Sequence, residues 1–286
     1  ANVRVIEAPL GEAIPPERFE EELRRKPAKL VALVHAETST GAEQEIAPVA
    51  EIAHRYGALI AIDCVTSLGG MPVRVDEWGV DAAASCSQKC LGAPPGLSPV
   101  TFSPRAMEVI TGRKSKCQSW YLDVNLLFAY WGDGKANNRV FHHTGPIAMI
   151  YAMREALRIA LEEGLEARYA RHRKAHEAFV AGLEAMGLTL FTKGKRLPML
   201  NVVNIPEGID DLAIRRRLLE QNIEISGGFG PLAGRVWRVG LMGVNANPAP
   251  VITLLGALEQ ALVEQGYRCE RGAAVAAARA VYKQST

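Results

Sequence analysis

The first half of the chain alternates between two hydrophobic rhythms. Residues 30–35 and 58–63 are continuous apolar runs of strand length, the pattern of strands buried on both faces of a parallel sheet. Between them, residues 47–56 carry apolar side chains at helical spacing, and Gly57 supplies the stop. Residues 16–26 predict an earlier helix with proline in its first turn. Shorter strands are predicted at 3–8, 81–85 and 99–102. Ser103 and Pro104 then provide an N-cap and a first-turn proline for another helix. Strand, helix, strand at this spacing predicts an α/β fold with a mostly parallel sheet and helices on both faces.

The rhythm changes after residue 114. Residues 114–138 are rich in Trp, Tyr, Asn and Gly, including Trp120-Tyr121-Leu122-Asp123 and Trp131-Gly132-Asp133-Gly134, and predict loops and short helices. From Gly145 to about Met186 the pattern is helical, with a break predicted at Gly164. A second, smaller alternation follows. Strands are predicted at 188–191, 200–205, 223–226 and 236–239, and helices at 211–221, capped by Asp210, and 249–264. The alanine-rich segment 273–281 predicts a last helix. Two domains are therefore expected, a large one over 1–162 and a small C-terminal α/β domain over 163–286.

Composition narrows the class. A chain of 286 residues with 48% hydrophobic and 22% charged residues is that of a globular protein with a sizeable core. The net charge of +2 leaves no footprint for nucleic acid, and Arg215-Arg216-Arg217 reads as a solvated helix face. No apolar stretch is long enough to span a bilayer. Five cysteines without a CxxC or zinc pattern point to a reducing, cytoplasmic setting and to no metal site. His142-His143 lacks a third ligand at metal spacing, and adjacent side chains on a strand point apart.

Three residues stand where chemistry is plausible. Asp63 ends an apolar strand, where open α/β sheets bind ligands; it reads either as a turn or capping aspartate or as the partner of a buried cation such as a protonated ring nitrogen. Lys89 follows the strand at 81–85 and precedes the loop Gly92-Ala93-Pro94-Pro95-Gly96. It reads either as a solvated loop lysine or as an amine tuned to form an imine. Arg238 lies inside the strand at 236–239, either on an exposed face or as a bidentate carboxylate clamp. Gly227, Gly228 and Gly230 upstream would let a ligand approach the backbone. The hydroxyl-rich turn after His35 and the turn at 67–70 are open to both a structural and a ligand-facing reading.

Six motifs in order carry a resemblance: HAETSTG at 35–41, the strand ending in Asp63 with VTSLGG, SQK with its APPG loop, FHHT at 141–144, GGFGP at 227–231 and WRVGLMG at 237–243. Together they resemble the class V aminotransferases, fold-type-I enzymes, and among them the alanine–glyoxylate and serine–pyruvate group. The resemblance runs from residue 1 to about residue 268. It implies pyridoxal 5'-phosphate as cofactor and an aspartate-aminotransferase-like large domain. It implies amino transfer between a small L-amino acid, alanine or serine, and a small 2-oxo acid, glyoxylate or pyruvate. By position it implies Lys89 as the lysine that bonds to the cofactor and shuttles the proton, and Asp63 as the partner of the ring nitrogen. Val65 would lie on the ring face, Thr38 near the ring hydroxyl and Gln88 at the phosphate. Thr144 and Phe141 would reach the cofactor of a neighbouring subunit in a homodimer, and Arg238 would hold the substrate carboxylate. Phe141 stands where the family commonly has tyrosine, which implies weaker cofactor retention. The family also has on the order of a hundred residues before the position of residue 1, supplying a glycine-rich phosphate turn and a stacking aromatic. This chain is thus expected to be a portion of a longer protein. Alternatives within and beyond the family are cysteine desulfuration, lyase action or a non-catalytic structural role on the same fold.

Overall fold

The structure is a computed structural model and describes residues 2–131 and 140–284. Helix α1 (Pro16–Arg25) begins at the expected proline. Glu17 lies in its first turn and Arg24 and Arg25 in its last, matching the helix dipole, and it buries Phe19 and Leu23 one turn apart. Strand β1 (Leu30–Val34) is followed by a two-stranded ribbon of β2 (Ala36–Glu37) and β3 (Ala42–Glu43), then by α2 (Ala47–Arg55) and β4 (Leu59–Asp63). Strands β5 (Ala82–Ala84) and β6 (Val100–Phe102) complete a sheet of order β1-β4-β5-β6, parallel except for β6.

The register sets the chemistry that follows. Val34 pairs with Asp63, and Asp63 with Ala84, so three parallel strands end side by side. Helices α1 and α2 cover the face formed by Val31, Ile60, Ile62 and Ala83. The opposite face carries Leu30, Val34 and Val100, which are exposed among the described residues.

After β6 come α3 (Pro104–Thr111), capped by Ser103 as expected, and α4 (Val124–Trp131) in the aromatic-rich segment. Positions 132–138 of that segment lie outside the described residues. Helices α5 (Ile147–Glu163) and α6 (Leu165–Ala185) are divided at Gly164, whose φ of 82° an L side chain rarely adopts. Strand β7 (Leu200–Asn204), helix α7 (Asp211–Leu219), and strands β8 (Ser226–Gly227) and β9 (Val236–Gly240) build an antiparallel sheet of order β7-β9-β8. Asp210 caps α7 through the Ala213 N–H. Helix α8 (Pro248–Glu264) and the last helix, α9 (Ala273–Lys283), pack against α6 around the fully buried Phe179, Leu255 and Leu258.

Three expected strands differ. Residues 3–8 form no strand among the described residues; Val3 and Val5 are exposed, and Arg4 ties the segment to the end of α1 through the Glu22 carbonyl. Residues 188–191 make only an isolated bridge, Leu190 to Val203. The strand expected at 223–226 is reduced to Ser226–Gly227. Ile6 packs on the first core, and Leu188, Leu190, Ile223 and Ile225 pack on the second, so side-chain packing rather than a continuous ladder holds these segments; 188–191 meets β7 through the Phe191 N–H to the Val202 carbonyl and the Asn204 N–H to the Thr189 carbonyl. One apolar cluster joins the β2–β3 ribbon and the segments after β4 and β5 to the second sheet: Ala36, Met71 and Cys90 meet Met199, Val202 and Val236.

Candidate active site

The site starts from the strand ends. Asp63 is exposed, and its Oδ1 accepts the Val65 N–H at 2.8 Å, so the carboxylate forms the turn that leaves β4. Val65 is half-buried in that turn. The next strand end is bonded across: the His35 N–H donates to the Asp63 carbonyl, and the Cys64 N–H to the Ala84 carbonyl, both at 2.9 Å. His35 is buried, and its Nδ1 lies 2.9 Å from Ser67 Oγ, tying the end of β1 to the turn after β4. Burial pushes its pKa down to about 4, so the ring is neutral at pH 7.

Lys89 lies in a turn that closes on itself. The Gly92 N–H donates to the Lys89 carbonyl and the Ala93 N–H to the Ser87 carbonyl, both at 3.0 Å, while Ser87 Oγ donates to the Pro94 carbonyl at 2.6 Å. The lysine side chain is half-buried, and among the described residues its amine makes no hydrogen bond or ion pair. Gln88 beside it is exposed. Of the neighbouring thiols, burial pushes Cys64 up to about 11 and Cys90 up to about 12, so neither is a thiolate at neutral pH.

Arg238 reaches the same region from the second sheet. It sits in the central strand β9, paired with Val202 on one side and Ser226 on the other, between the buried Trp237 and Val239. Its Nε donates to the Gly227 carbonyl at 2.8 Å and its Nη1 to the Thr38 carbonyl at 3.4 Å. The Phe229 ring covers one face of the guanidinium, 3.7 Å from the ring centroid. Burial lowers the Arg238 pKa from its usual value, with the charge of Glu37 opposing, and the guanidinium stays protonated. Thr38 is half-buried in the ribbon turn between β2 and β3. With the Nε edge and one Nη1 proton engaged, the Nη1/Nη2 end of the fork is the part left for a carboxylate.

The structure therefore brings Asp63, Val65, Gln88 and Lys89 to adjacent parallel strand ends, with Thr38 and Arg238 touching at the junction of the two sheets. Thr144 and Phe141 are exposed, and no hydrogen bond joins either to these residues among the described residues; Phe141 packs edge-on against Tyr130. The two histidines before Thr144 do not point apart as a strand would place them. The segment is irregular, and His142 Nδ1 lies 2.7 Å from His143 Nδ1 while His142 stacks on Trp120. A surface cavity lined by Phe191, Pro206, Glu207 and Arg235 shares none of the candidate residues. Two contributors were not singled out in the sequence. Phe229 was hidden among the glycines that drew attention, where a lone aromatic was the available signal. Arg168 of α6 donates to the carbonyl of Cys90, next to Lys89, and one arginine in a charged helical pattern gives no such signal.

These positions can be set beside known proteins. The chain belongs to the aminotransferase class-V family, whose model matches residues 1–234. Members of that family generally depend on pyridoxal phosphate. The chain is 39% identical over 305 residues to an (S)-ureidoglycine–glyoxylate transaminase of Bacillus subtilis (strain 168), covering 100% of this chain and 72% of the relative. It is 42% identical over 250 residues to an alanine–glyoxylate aminotransferase of Callithrix jacchus, covering 86% of this chain and 60% of the relative. The chain thus spans between 60% and 72% of the length of these two curated relatives. The solved structure of ureidoglycine-glyoxylate aminotransferase from Bacillus subtilis superposes with a TM-score of 0.94 at 41% identity, over 99% of this chain and 72% of that one. The mostly parallel sheet with its helices is thus the fold the resemblance implied. Among the described residues no helix is long and apolar enough to cross a membrane.

Proposed function

We propose that the protein is a pyridoxal-phosphate-dependent aminotransferase that moves an amino group from a small L-amino acid, alanine or serine, to a small 2-oxo acid, glyoxylate or pyruvate. The observation that carries this reading is the free, half-buried amine of Lys89 one strand away from the Asp63 carboxylate. A cofactor bearing an aldehyde and a ring nitrogen needs those two groups near one another at a strand-end opening, so the residues present fit it.

When bound, pyridoxal phosphate supplies an aldehyde to hold the amine and a protonated ring that takes up the electron pair left by the α-proton. Lys89 would hold the cofactor through Nζ, and the same Nζ would be the base that accepts the substrate's α-proton and gives it back. Asp63 would keep the ring nitrogen protonated. Val65 would pack on the ring, Thr38 would bond near its hydroxyl and Gln88 near its phosphate. Arg238 would orient the substrate through its carboxylate, the Nη1/Nη2 end of its fork presented by the Gly227 and Thr38 carbonyls. Thr144 and Phe141 would serve the cofactor of a second subunit in a homodimer, and their exposure leaves them open to such a contact. The two sheets support a division into a cofactor-binding unit over 1–162 and a small unit over 163–286. The raised thiols of Cys64 and Cys90 weigh against a cysteine nucleophile and so against desulfuration.

The test is borohydride reduction of the purified protein, with peptide mass mapping, beside steady-state alanine–glyoxylate transamination. The expected result is a cofactor-sized adduct on Lys89 and complete loss of turnover in Lys89→Ala. Steady-state turnover retained in that variant would refute the assignment.

A further inference from the structure

Helix α6 buries a charged side chain that the proposed chemistry does not use. Arg168 is 4% exposed, yet all three of its guanidinium nitrogens are engaged. Nε donates to the Gly69 carbonyl at 3.0 Å, Nη2 to the Cys90 carbonyl at 2.5 Å and Nη1 to Glu163 Oε2 at 2.7 Å. Gly69 belongs to the turn that follows Asp63, and Cys90 immediately follows Lys89. One guanidinium therefore grips both turns that carry the proposed cofactor residues. The turns are also pressed together: a Cβ on Gly70 would lie 2.6 Å from Cys90 Sγ.

The next turn of the same helix braces this grip from the second sheet. His172 accepts the Gly243 N–H on Nε2 at 3.1 Å, and Arg171 donates to the Gly243 carbonyl at 2.7 Å. Glu163 holds Arg171 as well as Arg168. Gly243 in turn sits against the Lys89–Cys90 backbone, where a Cβ would meet the Cys90 carbonyl oxygen at 3.6 Å and that of Lys89 at 3.9 Å. Burying a guanidinium is unfavourable unless it is paired and fully bonded, and an apolar side chain of similar volume commonly serves stability as well or better. What an apolar side chain cannot do is donate to two carbonyls and so fix where the main chain at residues 89–90 lies.

We propose that Arg168, held by Glu163, is a positioning residue for Lys89, setting the main chain from which the amine reaches the cofactor. The proposal rests on Lys89 being the cofactor lysine. It also makes the helix after Gly164 part of the site's machinery through the main chain it holds.

The test is titration of the purified, cofactor-stripped protein with pyridoxal phosphate, for the unsubstituted chain, Arg168→Met, Arg168→Lys and a destabilised control, Glu259→Ala, which removes from α8 the carboxylate that caps the start of α9. Three quantities are read: the apparent dissociation constant, the pH midpoint of the bound cofactor's visible band, and the yield of borohydride-fixed adduct on Lys89. Losing charge-assisted bonds to two carbonyls predicts affinity weaker by about tenfold or more in Arg168→Met, with a displaced pH midpoint. Arg168→Lys keeps the charge but lacks the fork, and is expected to weaken affinity by at least about threefold, a smaller loss than in the methionine variant. It carries the test alone if the methionine variant does not fold. Glu259→Ala should leave affinity and midpoint unchanged. Unchanged affinity and midpoint in the folded Arg168 variants, or equal losses in Glu259→Ala, would overturn the proposal. An unsubstituted protein that gives no adduct on Lys89 sinks the cofactor reading and this proposal together, a distinguishable result.

Discussion

Replacing His172 with glutamine should remove a defined part of the protein's sensitivity to acid. The ring is fully buried, with Nδ1 placed 2.8 Å from the Arg168 carbonyl and Nε2 accepting the Gly243 N–H. Protonation at Nε2 would set one N–H against another in a site without water's freedom to reorient. Burial, opposed by the bond to the Arg168 carbonyl, lowers the pKa from 6.5 to about 4. Because the folded state holds the proton less tightly than the unfolded chain, the stabilisation is fully present above pH 6.5. It is lost as the pH falls from there through about 4. The gap between those values corresponds to about 3 kcal/mol, of which about 2 kcal/mol is lost by pH 5. Urea unfolding of the protein and of His172→Gln, at several pH values from 7.5 to 5, measures it directly. The stability advantage of the unsubstituted protein should shrink by about 2 kcal/mol over that range. His35 carries a similar depression but is common to both chains and cancels in the difference. A constant gap across the range would show that the ring titrates alike in the folded and unfolded chain, as a solvated histidine does, and would refute the reasoning.

Two further outcomes follow from the same structure. Cys64 and Cys90, whose thiols burial holds far above neutrality, should resist iodoacetamide at pH 8 while the half-buried Cys117 reacts; equal rates for all three would contradict the burial. Glu259 accepts the Gly272 N–H at 2.7 Å and the Ala274 N–H at 3.3 Å, so it caps α9 from a distance in sequence. Glu259→Ala should cost about 1–2 kcal/mol of stability and speed hydrogen exchange at 273–283, and unchanged exchange there would remove the capping role.

The legible parts of the fold were those written locally. The apolar run to Asp63, the stop at Gly57, the Ser103 and Asp210 caps and the break at Gly164 each depend on a few neighbouring residues. The strand expected at 3–8 has the right alternation, but alternation cannot say whether a partner strand lies alongside. The β2–β3 ribbon was invisible because Thr38-Ser39-Thr40-Gly41 looks like any hydroxyl-rich turn. Asp63, Lys89 and Arg238 were recognisable as candidates because strand ends and ordered motifs mark them. Arg168 was not, since its acceptors are main-chain carbonyls far along the chain and backbone atoms have no sequence signature.

Those distances along the chain bear on when the protein becomes competent. Arg168 bonds to a residue 99 positions earlier and to another 78 positions earlier, while Arg238 reaches back 200 positions to Thr38. The first sheet can pair from contacts close in sequence, but closing loops of that length comes late on a folding path. During synthesis the residues around Lys89 would leave the ribosome about 150 residues before Gly243 arrives to brace them, and domains assemble in the order they emerge. Until then the turn holding the lysine lacks its clamp. On the proposed role of Lys89, capture of a cofactor would wait for completion of the second sheet, and a chain stalled before β9 would present the lysine without the contacts from Arg168 and Gly243 that fix its main chain.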